Sequence, residues 1–162
     1  MAEENEVIFT EVQRFSLWCY LLLVCAIGFS AVITLYAVPP EQSIVRSLGI
    51  GLPILFLVLF LTFKMETEVH PDGLYVRFFP VHIRYKKFGA ADLEQYYART
   101  YKPMLEYGGW GIKHGFGNKG KVYNASGNKG VQLVLTNGKK LLIGSQKPDD
   151  LVAAIDQMLK QK

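Results

Sequence analysis

The chain has 162 residues, half of them hydrophobic, with a formal net charge of +4 and two cysteines. Cys19 and Cys25 both fall in one apolar run, which excludes a disulfide framework. His70, His82 and His114 are widely spaced and lack the short His or Cys pairings of a metal site. The charge is divided unevenly. Residues 1–14 carry Glu3, Glu4, Glu6 and Glu11 against Arg14, a net of −3, whereas residues 64–162 hold sixteen Lys or Arg against nine Asp or Glu, a net of +7. A basic soluble part tied to a membrane is drawn to anionic headgroups. The scattered lysines and the tether argue against nucleic acid.

Residues 15–38 are 24 residues without a charge, about 36 Å as a helix and long enough to cross a bilayer. The acidic start is unlike the basic start of a cleavable signal, so the spacing predicts a permanent helix. A second helix is expected over 44–63, with Arg46 at its edge reaching the headgroups. Pro39-Pro-Glu-Gln-Ser43 allows only a tight antiparallel turn between them. Trp18, Tyr20 and Tyr36 suit interfacial anchors. Ser30 and Pro53 should lie at similar depth in a close helix contact. The connecting loop offers Arg46 alone, while Lys64, Arg77, Arg84, Lys86 and Lys87 follow the second helix. This count places both termini on the cytoplasmic side of a multi-pass plasma or inner membrane protein.

The expected organisation is an acidic cytoplasmic N-terminus over 1–14, a two-helix hairpin over 15–63 and a cytoplasmic domain over 64–162. In that domain Pro71-Asp72-Gly73 marks a turn between two strands ending before Pro80. Residues 81–88 and 93–101 alternate as further strands, the latter closed by Pro103. A Gly-rich meander should follow, with strands over 110–114, 121–126, 131–135 and 139–143. Gly117-Asn-Lys-Gly120, Gly127-Asn-Lys-Gly130 and Asn137-Gly138 would be its hairpin turns. Pro148, early acids and the stripe Leu151, Ile155, Met158 and Leu159 predict a last amphipathic helix. About seven antiparallel strands and one helix describe a small barrel plugged by its last helix.

Two clusters are candidate sites. The first and third turns fall at one end of the meander, so Lys119, Lys121, Lys139 and Lys140 gather at one rim as a candidate anionic-lipid surface. Arg99, Glu106, Tyr107 and Trp110 surround paired glycines, and Trp with Arg is the composition of a protein-binding hot spot. Gly115-Phe-Gly-Asn-Lys-Gly-Lys-Val122 imitates nucleotide motifs, but a strand rather than a helix should follow it, so no cofactor is expected. Ser126 and Ser145 sit beside glycines with no histidine near in sequence to act as base, so no catalysis is expected.

The order of elements resembles the pleckstrin-homology (PH) superfold. It is closer still to bacterial PH-like membrane proteins with two N-terminal transmembrane helices. Gly73-Leu-Tyr-Val-Arg-Phe-Phe-Pro80, Glu106-Tyr-Gly-Gly-Trp-Gly-Ile112, Tyr123-Asn-Ala-Ser-Gly-Asn-Lys-Gly130 and Leu142-Ile-Gly-Ser-Gln-Lys-Pro148 carry the resemblance. It implies a PH-like fold of mainly β character and brings no catalytic residues. His70-Pro71-Asp72-Gly73 departs from the basic first hairpin of phosphoinositide-binding PH domains. The leading expectation is a non-catalytic, membrane-anchored scaffold that presents this domain to a protein partner as a small accessory subunit. The alternative is recognition of anionic lipid headgroups by the lysine rim.

Overall fold

The structure, a computed structural model, describes residues 7–161. Glu3, Glu4 and Glu6 lie outside the described residues. The chain divides into two compact units, residues 15–63 and the remainder.

The first unit is a helix pair, α1 (Leu17–Ala37) and α2 (Ser43–Leu61). Both are long and apolar enough to cross a membrane, and almost none of either is buried within the chain. Two helices that are apolar all round and uncovered need an apolar surrounding. Small residues let them approach: Ser30 Oγ donates to Gly49 O at 3.3 Å, and a Cβ at Gly49 would stand 2.7 Å from Thr34 Oγ1. The close approach is therefore at Gly49, one turn before the Pro53 expected from sequence. At the other end of the pair, Phe15 stacks on Phe60 with centroids 4.9 Å apart.

The second unit holds two sheets and a helix. The first sheet runs β1 (Phe9–Gln13), β2 (Lys64–His70), β3 (Gly73–Phe79) and β4 (Lys86–Phe88), antiparallel throughout. The second contains β5 (Leu93–Thr100), β6 (Gly111–His114), β7 (Lys121–Asn124), β8 (Lys129–Leu135) and β9 (Lys140–Gly144), in the order β5-β8-β9-β7-β6. Between β5 and β6 lies a short helix, α3 (Pro103–Tyr107), and the chain closes on α4 (Pro148–Lys160). Leu151, Ala154, Ile155 and Met158 of α4 are buried, as are Leu74, Val76, Val131, Leu133 and Ile143 of the strands, and α4 packs against β1, β2, β5 and β8.

Several expectations are corrected. The sheets do not close into a barrel, and nine strands are described rather than about seven. Residues 81–85 form no strand, leaving β4 with three residues. The meander is also broken. β9 lies between β7 and β8, parallel to β7 and antiparallel to β8, so Gly127-Asn-Lys-Gly130 is a crossover and not a hairpin turn. Backbones pack closely on both sides of β9: a Cβ on Gly130 would collide with the Ile143 carbonyl oxygen, and one on Gly144 would lie 2.8 Å from Asn124 Cβ of β7.

The described residues 7–14, which precede α1, belong with this unit. Its β1 residues pair in register with β2, Gln13 opposite Met65. Glu11 accepts hydrogen bonds from Ser145 Oγ at 2.6 Å and the Gln146 amide at 2.7 Å. Gln13 Nε2 donates to Gly144 O at 2.8 Å. Thus one short strand pins the first sheet to the end of β9 in the second. The chain leaves this unit after β1 and re-enters it at β2, the adjacent strand.

Candidate functional site

Because the sheets do not close, β4 at the edge of one and β6 at the edge of the other, with β7 beside it, approach without pairing. A cavity of about 520 Å³ lies there, within the size range of small-ligand pockets. Lys86 and Phe88 come from β4, His114 from β6, and Gly120, Lys121 and Tyr123 from β7 and the turn before it. The β8–β9 hairpin adds Leu135, Lys139, Lys140 and Leu141. Parallel pairing of β7 and β9, Lys121 opposite Leu141, is what brings the two lysine-bearing turns together. Gly120 makes the fit possible at φ +78°, where a Cβ would strike the Lys140 carbonyl oxygen.

The floor is apolar and the rim is cationic. Tyr123 and Leu141 are almost fully buried. Lys86 Nζ lies 2.9 Å from the Tyr123 hydroxyl and donates to it. Lys121 Nζ stands over the same ring, 5.2 Å from its centroid. No carboxylate lines the cavity. Among the described residues, none of its four lysines forms an ion pair. Three acids of this unit are paired away from the cavity: Glu66 with Lys64 and Arg77, Asp72 with Lys87, Glu106 with Arg99 and Lys119. Four uncompensated ammonium groups around one concavity focus a positive potential. His82, edge-on to Tyr123 at 5.5 Å, registers it: burial, then the charges of Lys86 and Lys121, hold its pKa below 6.5.

Three of the four lysines expected at the rim, Lys121, Lys139 and Lys140, line this cavity. Lys119 does not; its ammonium lies 3.4 Å from Glu106. Lys86, Phe88, His114 and Tyr123 were missed as site residues. Lys86 stands far from the rim in sequence, and only tertiary packing delivers it.

The second expected cluster is mostly consumed by the fold. Arg99 Nη2 donates to Glu106 Oε2 at 2.9 Å and to the Tyr107 hydroxyl at 3.0 Å. Glu106 Oε1 caps the start of α3, accepting from the Lys102 amide at 2.8 Å. Partial burial alone would raise the pKa of Glu106, but the Lys102 amide and Arg99 prevail and lower it. Tyr107 is buried with Tyr101, Val122 and Leu142. Trp110 remains 36% exposed, its indole donating to Gly127 O at 2.8 Å. Beside it, Met104, Leu105 and Phe116 are largely exposed.

Among the described residues, no three His, Cys, Asp or Glu side chains come together as metal ligands. The cavity offers hydrogen-bond donors and positive charge at its rim over an apolar wall. No curated protein matches the chain. Residues 2–160 match the model of a family described as a family of unknown function, DUF6141. The chain belongs to that family, DUF6141.

Proposed function

We propose that this protein is a membrane-anchored binding module that takes a phosphate-type anion into the lysine-lined cavity. The observation that carries the reading is the convergence of Lys86, Lys121, Lys139 and Lys140 on one apolar-floored concavity with no carboxylate. Phosphate oxygens suit such a cage because each ammonium donates three hydrogen bonds. The apolar floor favours a ligand with a carbon skeleton attached to the phosphate, as in a lipid headgroup or a soluble organophosphate. The site lies at the Lys140 end of β9, opposite the Gly144 end that touches Gln13. The helix pair serves as the membrane anchor. The Lys and Arg count supports cytoplasmic termini; the run of strands followed by a final helix is what remains of the PH-like resemblance, and the parallel β7–β9 pairing departs from it.

The test is amine-reactive footprinting of the full chain in nanodiscs, read by mass spectrometry. One arm uses phosphatidylcholine discs with added inorganic pyrophosphate; the other uses discs containing phosphatidylglycerol and no pyrophosphate. Protection of Lys121 and Lys140 over Lys119 and Lys129 is expected in at least one arm, and the arm identifies the source. Recovery of pyrophosphate intact is expected. Equal labelling of all four lysines in both arms would overturn the reading.

A further inference from the structure

The surface beside α3 is apolar and uncovered. Met104 is 64% exposed, Leu105 72% and Phe116 66%. Met104 and Phe116 both border the Gly108-Gly109 turn that ends α3: a Cβ on Gly109 would lie 3.6 Å from Met104 Sδ, and one on Gly108 would lie 3.9 Å from Phe116 Cζ. The Phe116 amide donates to Glu106 O at 3.0 Å, fixing that turn against the helix. Trp110 continues the patch along the β6 edge. Its indole is held to Gly127 O, at the end of the sheet where Gly144 touches Gln13. Lys102, Lys113 and Lys119 surround the patch, and its one carboxylate, Glu106, is already neutralised by Arg99 and Lys119.

We infer that this patch inserts into the headgroup and upper acyl region of an anionic bilayer. Exposed Phe, Met and Leu on a short turn, rimmed by lysines, have the composition of an interfacial insertion surface. The lysines complement anionic headgroups. The occupant is set by the tether as well as by charge. Between β1 and α1 lie only residues 14–16, and between α2 and β2 only 62–63. A domain held on such short connections meets the bilayer at high effective concentration. Trp110, amphipathic and partly covered, has the character of an interfacial aromatic. This inference stands apart from the identity of the cavity's ligand.

The chain has two tryptophans, Trp18 and Trp110. Trp18→Phe leaves Trp110 as the sole reporter in the full chain. The protein is reconstituted in nanodiscs of phosphatidylcholine and phosphatidylglycerol, with lipids brominated near the headgroup end of the acyl chains. Insertion should quench Trp110 emission by about half. The triple substitution Met104→Ser, Leu105→Ser and Phe116→Ser should restore most of that emission. These side chains are exposed, and an unchanged far-ultraviolet circular dichroism spectrum would confirm that the triple variant folds. Absence of quenching, with Trp110 open to aqueous acrylamide, would overturn the inference in favour of a protein partner or bare solvent. Quenching that the triple variant leaves unchanged would overturn it equally.

Discussion

Neutralising the cavity lysines one at a time should produce a graded loss of anion affinity. Lys121 and Lys140 are partly buried, whereas Lys139 is exposed. A hydrogen bond to a charged group is worth about 1.5–3 kcal/mol, and partial solvent exposure argues for the lower end. Lys121→Gln and Lys140→Gln should each weaken pyrophosphate binding by about tenfold. Lys139→Gln should cost about threefold, in line with an exposed charge. Lys119→Gln should cost almost nothing, because that ammonium already faces Glu106. Lys121 and Lys140 flank the paired residue Leu141, so the double variant should fall short of the product of the single effects. The assay is calorimetric titration of the full chain in phosphatidylcholine nanodiscs. Raising ionic strength from 0.15 to 1 M shortens the screening length from about 8 to about 3 Å and should compress the whole series. Removing one of several like charges leaves the unliganded fold as stable as before or slightly more so. If Lys119→Gln weakens binding as much as Lys121→Gln, the attraction is a diffuse surface field and the cavity argument fails.

Three further outcomes follow from the same geometry. The pKa of His82, depressed by burial and then by Lys86 and Lys121, should rise toward 6.5 when an anion fills the cavity. By linkage, the depressed value gives a stability contribution that is full above pH 6.5 and is lost as pH falls through the folded pKa; NMR titration of the histidine ring with and without pyrophosphate would show no difference if the cavity stayed empty. Gly120→Ala adds a Cβ at φ +78° against the Lys140 carbonyl oxygen and should cost about 3 kcal/mol, whereas Gly138→Ala, at φ +75° with open space around it, should cost about 1 kcal/mol. Equal losses of thermal stability for the two would refute the close approach of the turn to β9. Glu11→Ala removes the acceptor for Ser145 and Gln146 and should destabilise the β1 docking by about 2 kcal/mol. Hydrogen exchange at the β1 amides should then accelerate; unchanged protection would mean that pairing with β2 alone holds the strand.

How much of this could be read from the chain depended on whether the deciding contact was local. The two helices are uncharged runs of membrane length, and the α4 stripe repeats at helical period over three turns, so both declare themselves. Asn137-Gly138 places the β8–β9 hairpin for the same reason. The strand β1 hid because its inward residues are Phe9, Glu11 and Gln13, two of them polar and docked on the rest of the domain by partners more than 130 positions away. Both copies of Gly-Asn-Lys-Gly carry turn chemistry, yet one closes a hairpin and the other a crossover. What separates them is the insertion of β9 beside β7, a long-range pairing with no local signature. Pro103 at the first turn and left-handed Gly108 just past the end did mark α3, but five residues are too few to show a helical period. The rim lysines were legible from turn positions. Lys86 and the diversion of Lys119 to Glu106 were not, since both arise from packing between distant segments.

The central claim is that four particular lysines act as one site. Reductive methylation keeps their charge and gives each an NMR signal, and the full chain in phosphatidylcholine nanodiscs can then be titrated with pyrophosphate. The signals of Lys86, Lys121, Lys139 and Lys140 should move together with one apparent affinity, while Lys119 and Lys129 stay in place. Uniform small shifts of every lysine, or none at all, would contradict it.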